Sequence, residues 1–308
     1  MAIRKPAKRA RKTTGPKAGT VTGKKARAVA AKKAGRAAPR VARKAAGPAA
    51  RKAAGPAARK VAGQTSPEPV SAKAAAAAAA AAVAWLKQHG TQRDREGMAR
   101  YGLPSDHAFG VSVGQIQALA KRLGRSHELA AALWDTGWYE ARMLASFVDE
   151  PARVTPAQMD RWCRDFDNWG ICDTVCFHLF DRTPHAWAMI DRWSDAREEF
   201  VKRAAFALIA SLALHDKQAA DAPFLDGLRL IQRAADDERN FVKKGVSWAL
   251  RGTGRRNPRL HGAAVAVAKR LSASPEAAAR WVGKDALREL TSPAVVRKLA
   301  ARRSTGRG

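Results

Sequence analysis

The chain has 308 residues, with 57 Lys+Arg against 27 Asp+Glu and a formal net charge of +30. A balance this basic points to polyanionic partners. Three cysteines without a C-x-x-C pair exclude a disulfide scaffold and argue against a zinc centre, so no metal and no cofactor is expected. The charge is uneven: residues 1–80 hold 21 Lys+Arg and one acidic residue, Glu68, whereas residues 81–308 hold 36 basic and 26 acidic residues.

Residues 1–72 consist mainly of Ala, Lys, Arg, Gly and Pro. The motif RKAAGPAA begins at Arg43, recurs at Arg51 and returns altered at Arg59, and no aromatic residue precedes Trp85. With so little to bury, this arm is expected to be disordered in isolation. Its composition resembles the basic tails of linker histones and bacterial histone-like proteins. Such an arm binds DNA non-specifically by releasing counterions. A solubilising tail or a transit peptide are the other readings; the repeats and Pro-Gly interruptions count against the latter. No apolar stretch follows the first basic residues, so no secretory signal is expected.

Residues 73–94 are read as an alanine-rich linker helix, because Ala74 to Ala82 is unbroken and alanine is the best helix former. The run is too short and weakly apolar to cross a bilayer, so no membrane association is expected.

Residues 95–302 carry an apolar period of 3.6 and no strand pattern. Ile116, Leu119, Ala120 and Leu123 form one stripe, and Leu129, Leu133 and Trp134 another. Met143, Leu144, Phe147 and Val148 follow, then Phe200, Ala204, Ala207 and Leu208. Thr155-Pro156, Thr183-Pro184, Asn257-Pro258, Ser274-Pro275 and Ser292-Pro293 read as helix starts, with the cap before a proline at the first helical position. Phe200-Val201-Lys202-Arg203 is echoed 41 residues later by Phe241-Val242-Lys243-Lys244. That period is within the range of helical-pair repeats of the HEAT and armadillo kind. The expected fold is an all-α solenoid of about six helix pairs, ending in a basic tail at 303–308.

Two segments carry chemistry. Trp169 and Asp173 lie one helical turn apart; Lys244, Trp248 and Arg251 share a face further on. A carboxylate beside indoles and cations suits the stabilisation of a cationic sugar held by its phosphates. Each residue also has a plain reading: tryptophans at helical spacing are usually core, and Lys202, Arg203, Lys243 and Lys244 are a solvated face.

Five stretches in order, MARYGLPSDHAFGVSV (98–113), WYEARMLASFVDEP (138–151), DFDNWGICD (165–173), EEFVKRAAFAL (198–208) and DDERNFVKKGVSWALRGTGRRNP (236–258), resemble the AlkD-like DNA alkylation repair family. The resemblance implies a HEAT-like fold and removal of alkylated purines. It makes Asp173 the catalytic carboxylate and places Trp169 and Trp248 against the sugar of the damaged nucleotide. It gives Arg203 to the DNA backbone and Tyr101 to the same cleft. Lys202, Lys243, Lys244, Arg251 and Arg142 complete the expected DNA-binding set. Gly170-Ile171-Cys172, between the tryptophan and the aspartate, departs from the pattern of many members.

The expected function is therefore hydrolysis of the N-glycosidic bond of cationic N3- or N7-alkylated purines in double-stranded DNA, without base flipping, by a monomer in the cytoplasm, associated with the nucleoid. A non-catalytic DNA-binding or damage-sensing protein is the alternative, and a scaffold for protein partners a third reading. Asp173 with both indoles separates the first from the second; a stripe of cations separates both from the third.

Overall fold

The structure, a computed structural model, describes residues 71–304, with side chains through Ala301. The expected arm before Ser71 and the last residues of the basic tail lie outside the described residues. All described residues fall in one compact unit, Thr65–Gly308. They form fourteen α-helices and two short 3-10 turns, and no strand. Among them, no helix is long and apolar enough to cross a membrane.

The helices stack as a two-layered solenoid. The inner row is α5 (Tyr139–Val148), α7 (Trp169–His178), α9 (Glu199–His215), α11 (Asn240–Gly254) and α13 (Ala277–Leu290), each packed on the next. Behind it stand α4 (His127–Asp135), α6 (Pro156–Arg164), α8 (Ala186–Trp193), α10 (Asp221–Arg233) and α12 (Pro258–Ser272). α4 packs on α5, α6 and α8 on α9, and α10 and α12 on α11. At the N-terminal end, α1 (Ala72–His89), α2 (Gln92–Met98) and α3 (Val113–Leu123) precede the rows; α14 (Pro293–Ser304) closes the other end on α12 and α13.

The alanine-rich segment is a helix, and it is packed into the solenoid. α1 packs on α4 and α5 and buries Ala75, Ala79, Ala82 and Leu86. A mostly methyl surface lets another helix approach closely, and that contact gives the run its role.

The proline-marked starts divide by local geometry. Thr155 and Asn257 accept from the backbone N–H of Gln158 and Leu260, and their prolines begin α6 and α12; Pro293 begins α14. Thr183 instead donates to the Phe180 carbonyl at 2.8 Å and closes a 3-10 turn, so α8 begins at Ala186. Ser274 accepts from the Glu276 N–H, and α13 begins at Ala277.

The core runs between the rows. The Trp134 and Trp162 rings stack at 4.0 Å and 2°, and Phe180, Phe206 and Phe224 are fully buried. Each such side chain contributes about 1.5–3 kcal/mol over its exposed state. Trp134 and Trp193 donate their indole N–H groups to Asp165 and Asp160, both at 2.8 Å, so neither leaves a polar atom unpaired. The stripes read from the sequence are buried, except that Leu123 is exposed and Phe147 and Phe200 are partly so. The 41-residue echo marks neighbouring inner helices: α9 and α11 start at equivalent points, and the Phe200 and Phe241 rings lie 5.3 Å apart. A Cβ at Gly252 would lie 3.3 Å from Ala210 Cα, so glycine there brings α11 close onto α9, whereas one at Gly245 would make ordinary contact, 3.4 Å from Arg203 Cγ.

Candidate active site

α7 opens with Asn168, 3% exposed, whose side chain accepts from the Ile171 N–H at 2.9 Å. The cap fixes where the helix begins and therefore where Trp169 and Asp173 point. The Trp169 indole N–H donates to the Tyr101 carbonyl at 2.9 Å. Gly170, between Trp169 and Asp173, sits at a close approach. A Cβ there would lie 2.6 Å from the Tyr139 hydroxyl and 3.0 Å from Leu103. Glycine thus lets Tyr139 and the segment around Leu103 approach α7. Ile171 and Cys172 face the core. Beyond Tyr101, Gly102 adopts φ +66, the left-handed region that glycine occupies without strain.

Asp173 meets Arg203 of α9 side by side. Arg203 Nε donates to Oδ1 at 2.8 Å and Nη2 to Oδ2 at 2.7 Å; Nη1 donates to the Phe241 carbonyl at 2.6 Å. Arg203 is 6% exposed, while the Asp173 side chain is 20% exposed. Burial raises the Asp173 carboxyl above its ordinary value, and the guanidinium opposes that rise. Burial also works to strip the proton from Arg203, but the carboxylate outweighs it and holds the guanidinium charged.

The pair sits in a cleft of ≈ 710 Å³. α7 contributes Trp169 and Asp173, and α9 contributes Arg203. α11 contributes Asn240, Phe241, Lys244, Trp248 and Arg251; α13 adds Trp281, and the turn Arg100–Gly102 closes one side. Trp248 is half-buried, Tyr101 is 69% exposed and Lys244 is exposed.

Of the ten residues picked out from the sequence, seven line the cleft and three do not. Arg142 donates to the Asp165 carbonyl at 3.2 Å with its guanidinium over the Trp134 ring, and thus ties α5 to the end of α6. Lys202 pairs with Asp237 at 3.1 Å. Lys243 lies over the Trp281 ring at 5.2 Å and supports the cleft wall from outside. Two of the seven have other partners than expected. Arg203 is engaged by Asp173 and Phe241, which leaves it buried rather than presented to a phosphate. Arg251 bonds Glu289 at 2.6 Å and lies 3.5 Å from Asp285, so much of its charge is neutralised within the protein.

Trp281, Phe241, Arg100 and Asn240 also line the cleft and were not read from the sequence. Trp281 is 39% exposed, which marks it as something other than core. Phe241 could have been found from its place in the 41-residue echo. Cys163, Cys172 and Cys176 are buried free thiols, and burial raises those of Cys163 and Cys176. Among the described residues, no group of three or more His, Cys, Asp or Glu is placed to hold a metal ion.

Among solved structures, the chain is similar to a member of "a new family of proteins related to the HEAT-like repeat DNA glycosylases with affinity for branched DNA structures". The identity is 20% and the TM-score 0.58, over 68% of this chain and 94% of that one, a likeness of fold. A designed armadillo repeat protein is similar at 14% identity and a TM-score of 0.31, over 71% of this chain and 93% of that one. No curated protein matches the chain. The family model of the DNA alkylation repair enzymes matches residues 82–290, from the second half of α1 to the end of α13. With the match covering most of the solenoid and every helix that lines the cleft, the chain belongs to the DNA alkylation repair enzyme family.

Proposed function

We propose that the cleft hydrolyses the N-glycosidic bond of cationic N3- or N7-alkylated purines in double-stranded DNA. The observation that carries this reading is Asp173, held at the cleft surface by two bonds from one side, with Trp169 and Trp248 lining the same cleft. A carboxylate offers about four acceptor sites. Arg203 occupies two, and the others remain for substrate or water.

An alkylated purine of this class carries positive charge and leaves without a general acid. As the C1′–N bond breaks, its electron pair neutralises the purine and positive charge builds on the sugar. Asp173 stabilises that charge and accepts a hydrogen bond from the water whose oxygen bonds to C1′, and that water's proton passes to the carboxylate and on to solvent. The indole faces add about 0.5–2 kcal/mol each when water is excluded. The guanidinium weakens the carboxylate's field, but it fixes the oxygens before substrate arrives, so no reorganisation is needed at the transition state. Lys244 and Arg100 hold phosphates and set register without reading bases. Neither a metal nor a cofactor enters this scheme.

The test is release of 7-methylguanine and 3-methyladenine from methylated duplex DNA by the wild type and by Asp173→Asn. Loss of the aspartate should slow release by about 10²–10³-fold, the range for one electrostatic stabiliser of a transition state. The full occupation of one side of Asp173 by Arg203 favours a second reading, a DNA-binding protein without excision. The solved relative is described as having affinity for branched DNA. Intact DNA binding with no release by the wild type would establish that second reading.

A further inference from the structure

Below the cleft, a line of aromatic rings leaves the proposed active site and ends at a second cavity. The Trp248 ring stacks with Phe177, one turn beyond Asp173 on α7, at 6.5 Å and 23°. Phe177 meets His178 at 5.2 Å, and His178 meets Phe147 of α5 at 4.8 Å, both edge to face. His215, at the end of α9, packs against Phe177 at 4.2 Å. Phe147 lines a cavity of ≈ 300 Å³ whose wall includes Lys121 and Arg125. Phe147, Phe177 and His178 are partly exposed; His215, Lys121, Arg125 and Arg182 are exposed.

We propose that this line is a second DNA-binding surface and that it takes an unpaired, single-stranded segment of DNA. Three features favour that occupant. This line sets histidines among its phenylalanines and stays partly open to solvent, unlike the fully buried rings of the core. Burial, with Arg182 and His215 close by, lowers the His178 pKa, so the ring is neutral and stacks as an aromatic. Aromatic faces flanked by Lys and Arg are the chemistry of single-strand binding, with bases on the rings and phosphates on the cations.

The acidic groups nearby do not oppose it. Asp181 and Asp149 are fully buried side chains, paired with His215 and His127. The negative ends of α5 and α7 disfavour a bare phosphate there. Bases therefore lie on the rings, and the backbone runs outside along Arg182, Lys121 and Arg125. This surface rests on DNA being the ligand but not on base excision in the cleft.

The experiment compares the full-length protein on a blunt duplex and on the same duplex with a single-stranded thymidine tail. The basic arm meets both and also gains the phosphates of the tail, so the surface is read from how the ratio changes in the variants. The wild type should bind the tailed duplex at least about fivefold more tightly, the gain expected for one stacked base. His178→Ala with Lys121→Glu should bring the ratio close to one and leave blunt-duplex affinity and base release unchanged. Lys121→Glu alone, at an exposed position, should lower the ratio in the same direction if the double variant does not fold. A 5-bromodeoxyuridine tail should photo-crosslink to residues between 139 and 182. A wild-type ratio near one, a ratio unchanged in these variants, or crosslinks confined to residues 1–70 would overturn the proposal. A tail preference without base release would uphold this surface and sink the glycosylase reading; base release without tail preference would do the reverse.

Discussion

At the scale of single residues, the Asp173–Arg203 pair sets how the cleft answers to pH. In the proposed reaction excision requires the carboxylate, so its rate should fall as pH drops through the Asp173 pKa, which burial places above the ordinary 3.8. The acid limb of the rate profile therefore lies above that value. Arg203→Met removes the one group that lowers the Asp173 pKa, so the limb moves to higher pH and the plateau rate falls as the carboxylate loses its fixed orientation. Arg203→Lys keeps the charge but not the paired geometry, and it should restore the limb more than the plateau. Stability runs the other way. A carboxyl raised on folding binds its proton more tightly in the native state, so its contribution to stability grows as pH falls from the folded toward the unfolded pKa. Between those values, excision falls and this contribution rises. A pH–rate profile for the three proteins checks the claim; superimposable acid limbs for wild type and Arg203→Met would sink it.

At the scale of elements, the α7 N-terminus shows how far the sequence could be read. Trp169 and Asp173 were legible because one helical turn separates them in sequence. The partner of Asp173 was not, because Arg203 is thirty positions away and only the packing of α9 on α7 brings it there. Trp281 stayed hidden for a similar reason: nothing in its own helix distinguishes a cleft tryptophan from a core one. The packing of the alanine run on α4 and α5 was not legible either, because a methyl surface signals helix but not what the helix packs on. Gly170 offers a test with a sign. Helix propensity alone favours Gly→Ala by about 1 kcal/mol. Overpacking against Tyr139, Leu103 and Asn168, at 2.6, 3.0 and 3.2 Å from the new Cβ, costs about 1–3 kcal/mol. Gly170→Ala should therefore destabilise in urea and loosen the segment that carries Tyr101. Gly245→Ala, whose nearest neighbour is 3.4 Å away, should be neutral or mildly stabilising. A Gly170→Ala protein as stable as Gly245→Ala would show that the approach of Tyr139 to α7 is not fixed by this glycine.

At the scale of the whole molecule, charge and chemistry are held in different parts of the chain. Residues 1–70 hold 20 of the 57 Lys+Arg, while every residue that lines the cleft lies between Arg100 and Trp281. Many cations of the solenoid are paired internally: Arg203 with Asp173, Lys202 with Asp237, Arg251 with Glu289. Such cations release few counterions on meeting DNA, so most of the salt-sensitive affinity should come from the arm. Deletion of residues 1–70 tests this and keeps Ser71, whose hydroxyl caps α1 by accepting from the Ala74 N–H at 3.2 Å. For every phosphate that the arm no longer neutralises, the slope of log affinity against log salt should shrink by about 0.9. The shortened protein should therefore show a markedly shallower slope and weaker binding at low salt. On the proposed reading, in which the arm supplies encounter and the cleft the barrier reduction, its single-turnover excision on saturating DNA should stay within about twofold of the full chain. A slope left unchanged by the deletion would return the electrostatic role to the solenoid. A large fall in single-turnover rate would place the arm in the reacting complex, touching the same stretch of DNA that the cleft holds.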